Sequence, residues 1–282
     1  MKGAHNPILA TARFLAFLLW LVVVIGPYAL VLATGRLEPC RRFARFFWKI
    51  VAWIIGFKIV VRGEPSSHRP TLFVANHSSY LDIVVLGSLL QAVFVAKGEV
   101  RRWPGFGLIA RLGRTLFVER RARKSLEQRD QMRALLDTQH ESMILFPEGT
   151  SNDGIHVLPF KSTLFSAAEW TDEAGVGLPV QPISIAYARL DGMPLGRAWK
   201  PFFAWYGGME LAPHLWFMLG LGRTTVEVVF HDCVRLADFS SRRALSEHCR
   251  RMVVHGVAAA NTGRLATALD MAGSERGSGG AA

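Results

Sequence analysis

The chain has 282 residues, half of them hydrophobic, and a formal net charge of +11 with a pI near 10.2. The hydrophobic share excludes extended disorder and suits one large domain, or a domain with a small appendage, while the charge calls for an acidic partner: nucleic acid, anionic lipid or an anionic cofactor. Cys40, Cys233 and Cys249 are widely spaced and form no CxxC pair, so neither a disulfide framework nor a zinc site is indicated, and a reducing cytosol fits them.

Phe14 to Ala33 runs almost without polar groups, is interrupted only by Gly26-Pro27, and has about the ~20 residues needed to cross a bilayer. A second apolar run, Phe46 to Val61, carries Trp48, Trp53 and Phe57 together with Lys49 and Lys58, a pattern of an interfacial helix. Basic residues lie before the first run (Lys2, Arg13), between the runs (Arg36, Arg41, Arg42, Arg45) and after the second (Arg62), so charge asymmetry sets no orientation. A shallow hairpin on the cytoplasmic leaflet and a full span followed by an interfacial helix both satisfy them. A cleaved signal peptide ending at Ala33 is a further alternative, opposed by the greasy, basic segment that would remain.

Beyond residue 63, short apolar runs alternate with longer mixed segments. Strands are expected at Thr71 to Ala75, Val93 to Ala96, Thr115 to Val118, Ser142 to Phe146, Val180 to Ala186 and Thr224 to Phe230. Helices are expected at Ser79 to Leu90, Arg123 to His140, Ser162 to Glu169 and Phe239 to Ala260. Such alternation predicts an α/β fold, a largely parallel twisted sheet flanked by helices, with an N-terminal membrane-associated helical hairpin. The expected division is residues 1–62 for the anchor, 63–262 for the α/β domain and 263–282 for a flexible tail rich in Gly, Ser and Ala.

Sites in open α/β sheets gather at the carboxyl ends of strands, and three polar motifs fall at such ends. The first is Asn76-His77-Ser78-Ser79-Tyr80-Leu81-Asp82, with Ser78 or Ser79 capping the helix that follows. The spacing lets Asp82 orient the His77 imidazole as a general base. A metal site lacks further ligands nearby, and neither serine sits in a G-x-S-x-G elbow. An isolated His-x-x-x-x-Asp would more simply read as a satisfied strand-end histidine, so the weight rests on the other two motifs.

The second motif lies in Lys97 to Arg129, which holds ten Lys or Arg against three Glu, a net charge of +7. Arg114 and Arg120 bracket a short apolar strand and are placed to clamp a phosphate, while the Arg and Lys of Arg121 to Arg129 read as a solvated face. The third, Phe146-Pro147-Glu148-Gly149-Thr150, ends a strand in a turn. Glu148 is placed to bond a substrate hydroxyl or hold Arg120, Gly149 allows close backbone approach, and Lys161 returns a positive charge to the same rim. The aromatic segment Trp205 to Trp216 reads as ordinary packing, with contact to a bilayer the alternative.

Together these motifs resemble the glycerophospholipid acyltransferase family, specifically its bacterial 1-acylglycerol-3-phosphate acyltransferases, over about residues 65 to 190. The resemblance implies a catalytic pair His77 and Asp82, phosphate binding by Arg120, acceptor binding by Glu148, Gly149 and Thr150, and an acyl-site wall around Pro182. It further implies direct transfer of an acyl group from acyl-CoA or acyl carrier protein to the sn-2 hydroxyl of 1-acyl-sn-glycerol-3-phosphate, with no cofactor, no metal and no nucleic acid. The enzyme is expected at the cytoplasmic membrane with its site facing the cytoplasm. Two positions depart from the family pattern: Ser151 where many members have Arg, and Thr163 where many have Gly. The missing Arg keeps lyso-ornithine lipid open as the acceptor. A noncatalytic protein binding anionic lipid is the alternative of another class, and a thioesterase a third.

Overall fold

The computed structural model describes residues 3–98, 115–118 and 134–263. Helix α1, Pro7–Ala33, is opened by Asn6, whose side-chain oxygen accepts from the backbone N–H groups of Ile8 (3.0 Å) and Leu9 (3.1 Å), and it runs unbroken through Pro27. The chain turns back into α2, Leu37–Ile55, which Gly56 ends in the left-handed conformation at φ 88°. Phe57–Arg62 is then a strand, β1, paired with the sheet. The second apolar run is thus a helix followed by a strand, and not one interfacial helix. Gly56 stops the helix, and the β-branched run Ile59-Val60-Val61 favours extended backbone.

Two basic residues that could flank a membrane are instead used inside the protein. Arg41 donates from Nε to the fully buried Glu141 at 2.9 Å and from its guanidinium to the Gln139 carbonyl at 2.6 Å, tying α2 to the domain. Arg13 donates to the carbonyls of Leu219 and Leu221, at 3.1 and 2.6 Å, beside the end of another helix.

The remaining elements are β2 (Leu72–Ala75), α3 (Leu81–Leu89), β3 (Val93–Lys97), β4 (Leu116–Val118), β5 (Met143–Leu145), a 3₁₀ helix (Ser162–Glu169), β6 (Val180–Leu190), β7 (Met193–Pro194), α4 (Leu211–Leu219), β8 (Thr224–Phe230) and α5 (Arg242–Asn261). The strands form one eight-stranded sheet in the order β1-β8-β6-β2-β5-β3-β4, with β7 appended to β6. Pairing is parallel throughout except β6 with β8 and β6 with β7. The sheet is largely parallel, as the alternating elements predict.

Alternate side chains of β2 build two cores. Phe73 and Ala75 face α2 and α3, packing with Val51, Leu81 and Val85, whereas Leu72 and Val74 face the 3₁₀ helix and α5, packing with Phe165, Leu245 and Val253. Helices therefore cover both faces. Of the helix expected at Arg123 to His140, residues 134–137 are helical, while 123–133 lie outside the described residues, as does the Gly- and Ser-rich tail. The helix α4 has no counterpart in the expected elements, and the helix expected at Ser162 to Glu169 is present with those limits as a 3₁₀ helix.

Gly63, just past β1, has φ +69°, and an added Cβ would meet the Phe230 carbonyl oxygen of β8. Gly63→Ala is expected to destabilise the fold by about 1–3 kcal/mol, read as a fall in Tm by thermal denaturation in detergent. An unchanged Tm would show that the β1 to β8 edge yields freely.

Candidate active site

Strand β2 delivers Asn76 and His77 at its carboxyl end. Asn76 bridges to β6 like an extra peptide unit, donating to the Ile185 carbonyl at 3.0 Å and accepting from the Ile185 N–H at 2.8 Å. The chain leaves the sheet there with a fixed direction.

Asp82, in the first turn of α3, is fully buried and accepts from five donors. These are His77 Nδ1 at 3.0 Å, the backbone N–H groups of Ser78 (2.7 Å) and Ser79 (2.9 Å), the Ser78 hydroxyl (3.3 Å) and the Tyr187 hydroxyl (2.9 Å). The helix start is held mainly from the other side: Asp82 reaches back to the loop, while of the two serines expected to cap α3 only Ser79 does so, its hydroxyl accepting the Leu81 N–H at 3.4 Å. A carboxylate only accepts, so Nδ1 carries the proton, and the Nε2 lone pair is the basic position of the ring. The His77 side chain is 21% exposed and its ring stacks on Phe146, with centroids 4.2 Å apart.

Glu148 sits directly behind this loop. Its Oε1 accepts the His77 backbone N–H at 2.8 Å, and its Oε2 accepts the Asn152 side-chain amide at 2.5 Å and the Leu158 N–H at 2.9 Å. Asn152 in turn donates its backbone N–H to the His77 carbonyl at 3.1 Å. Both ends of the His77 peptide are therefore clamped by the turn after β5. Glu148 is 2% exposed, and burial pushes its carboxyl up to about 7, against the three N–H donors and the His77 charge.

Tyr187 of β6 is buried, and burial together with Asp82 holds its phenol well above the ordinary value, so the hydroxyl stays a donor. Tyr187 and Asn152 were missed from the sequence. A tyrosine directly after the expected strand Val180 to Ala186 was the available signal for Tyr187, and Asn152 carried none beyond its turn.

The other expected site residues are dispersed. Gly149 has φ +71° and bonds its N–H to the Phe146 carbonyl, which shapes the turn. Thr150 and Lys161 are exposed on that rim. Pro182 is buried in β6 beside Val74 and shares its strand face with Ser184, opposite the face that presents Tyr187. Arg114 and Arg120 lie outside the described residues. Ser184 forms a second buried Ser and His pair, with His231 Nε2 at 2.8 Å. Because its hydroxyl donates to the Val253 carbonyl at 3.1 Å, it accepts from His231 and is not an activated nucleophile.

An oriented histidine base at the carboxyl edge of a parallel sheet is the chemistry this geometry presents. The family described as Acyltransferase matches residues 58–186, which takes in β1 from Lys58 onward and the His77 constellation up to, but not including, Tyr187. The lyso-ornithine lipid O-acyltransferase of Brucella abortus is 46% identical over 209 residues, covering 73% of this chain and 78% of its own. The 1-acyl-sn-glycerol-3-phosphate acyltransferase of Neisseria gonorrhoeae is 29% identical over 202 residues, covering 70% and 73%. The chain belongs to the acyltransferase family. Among solved structures, the Thermotoga maritima 1-acyl-sn-glycerophosphate acyltransferase, PlsC, matches with a TM-score of 0.62 at 22% identity, covering 89% of this chain and 96% of that one, a shared fold.

Proposed function

We propose that the protein transfers a fatty acyl group from acyl-CoA or acyl carrier protein to a lysolipid hydroxyl at the membrane, with lyso-ornithine lipid the first acceptor and 1-acyl-sn-glycerol-3-phosphate the second. The carrying observation is the 3.0 Å contact of His77 Nδ1 with the buried Asp82 carboxylate. His77 Nε2 takes the proton of the acceptor hydroxyl as that oxygen adds to the thioester carbonyl. The tetrahedral adduct then expels the thiolate, which takes the proton back from the imidazolium. Thiols have pKa values of about 8.5, so the leaving group needs little acid assistance. No acyl-enzyme is required.

Two points favour the ornithine lipid as acceptor. Likeness is 46% to the Brucella enzyme against 29% to the Neisseria one, and Ser151 follows Thr150 where a phosphate-binding arginine is common in the family. The basic run from Lys97 to Arg129 suits an acidic donor on the cytoplasmic side.

The membrane-bound element in this reading is α1, a 27-residue apolar helix in which only Ala10, Val24 and Tyr28 are buried. Its start is bonded to the end of α4, Asn6 N–H to the Gly220 carbonyl at 2.8 Å, and further along Trp20 and Tyr28 pack on Phe47 and Phe43 of α2. The helix lies along the flank of the domain. Ile8, Leu15, Leu19, Val22 and Leu30 stay bare from one end to the other, as suits a helix lying in one leaflet.

Purified protein with labelled acyl-CoA and a panel of lysolipids tests the reading. Label is expected in the ornithine lipid faster than in phosphatidic acid, with thiol release that depends on acceptor. Release without acceptor would make it a thioesterase, and no release with either donor a lipid-binding protein.

A further inference from the structure

Among the described residues beyond residue 60, every exposed aromatic side chain lies between Trp199 and Trp216: Trp199, Phe202, Tyr206 and Trp216, each 36% to 40% exposed, with Met209 beside them. Residues 199–217 carry one lysine, Lys200, which is buried and donates to the Tyr187 carbonyl, and one carboxylate, Glu210. Aromatic side chains concentrated on a nearly uncharged surface are what the bilayer interface selects, because the rings are apolar and their N–H or O–H edges are wetted. In water such a patch is a liability.

The patch is continuous with α1. Phe14, on the bare face of α1, contacts the Trp216 ring at 6.5 Å; Trp216 contacts His5 at 6.4 Å; His5 stacks on Phe217 at 5.9 Å; Phe217 meets Phe202 at 6.5 Å; and Phe202 meets Trp199 at 6.1 Å. Between His5 and α4 an open apolar groove of about 720 Å³ is lined by Phe202, Met209, Pro213, Trp216 and Phe217. The same segment is bonded to the catalytic loop. Trp205 N–H donates to the Ser78 carbonyl at 2.8 Å, and Tyr80 O–H donates to His214 Nδ1 at 3.1 Å while His214 Nε2 donates to the Phe202 carbonyl at 3.2 Å.

We propose that residues 199–217 form a second lipid-contacting surface, beyond the bare face of α1, which rests on the bilayer interface and holds the His77 loop at the depth of a lysolipid hydroxyl. This rests on the membrane acyl-transfer reading for its purpose but not for its test. The occupant is the phospholipid bilayer, since the patch continues from the apolar face of α1.

The full chain carrying Cys233→Ser, to remove the exposed thiol, and Phe202→Cys is labelled with an environment-sensitive dye and mixed with phosphatidylcholine and phosphatidylglycerol vesicles. Trp199→Cys serves as a second site if the first variant misfolds. The dye is expected to shift to the blue and to be quenched by lipid bearing a doxyl group near the headgroup. The same dye at Val176→Cys, an exposed position in the loop that leads into the amino end of β6, stays unshifted. In the unlabelled protein, Trp199→Gln with Phe202→Gln is expected to slow transfer to a vesicle-embedded acceptor about tenfold and to leave transfer to a dissolved short-chain acceptor unchanged.

A dye at 202 that stays in water while one at Leu19→Cys inserts overturns the proposal. So does a blue shift that grows with protein concentration without lipid, which would make the patch a contact between copies. Dye insertion needs no turnover, so failure of the acyl-transfer reading would show separately, as lipid contact without transfer.

Discussion

His77→Ala is expected to lower the rate of donor-thiol release by about 10³-fold or more, general-base assistance alone being worth roughly 10² to 10⁴. The remainder of the rate enhancement comes from holding donor and acceptor together, and that part survives the substitution. The variant keeps its fold for a specific reason. Without the imidazole, Asp82 still accepts from the backbone N–H groups of Ser78 and Ser79 and from the hydroxyls of Ser78 and Tyr187, so the buried carboxylate is not stranded. The Glu148 and Asn152 bonds to residue 77 involve only its backbone and remain available. Thermal denaturation and vesicle binding should therefore match the wild type while turnover collapses. Residual release above about a tenth of wild type would remove His77 from the chemistry, because a general base cannot contribute so little. The thiol-release assay reads donor cleavage directly and needs no prior decision about the acceptor.

The strand-end motifs were legible because each joins an apolar run of strand length to polar residues that folding alone does not ask for. Five of the eight strands of the sheet are found within two residues of their expected limits, and β6 runs four residues past its own. Two strands were not expected: the short β7, and β1, which hides in the apolar continuation of α2 and is separated from it only by the left-handed Gly56. The antiparallel pairing of β6 with β8 depends on long-range topology that no local pattern carries. Site roles divide along the same line. The pairing of His77 with Asp82 is local, five residues apart, and its geometry follows from a loop entering a helix. Tyr187 reaches Asp82 across a sequence separation of 105 residues, so only the sheet register brings them together. Arg13 and Arg41 read as membrane-flanking charges because composition cannot distinguish a solvated guanidinium from one bonded to buried carbonyls and carboxylates.

Glu148 is where sequence pattern and geometry lead to different expectations, and Glu148→Gln separates them. If its carboxylate holds an acceptor hydroxyl, the variant should raise the acceptor KM. Its three donors all come from its own chain, which assigns it to positioning the His77 peptide. The expected result is a kcat reduced by about 10- to 100-fold with KM for donor and acceptor nearly unchanged, since a small misplacement of the base weakens the reactive geometry and not substrate binding. A raised acceptor KM at full kcat would overturn the positioning role. Stability against pH supplies an independent check. Burial lifts the folded carboxyl to about 7 from the ordinary 4.5, so between these values the folded chain holds a proton that the unfolded chain has released. Folding stability from this group therefore falls as pH rises from 4.5 to about 7 and is greatest at the acid end of that window. Across it, the wild-type Tm should decline with pH relative to that of Glu148→Gln, whose amide does not titrate. Parallel curves would mean that the three N–H donors fully offset the burial and keep Glu148 ionised throughout.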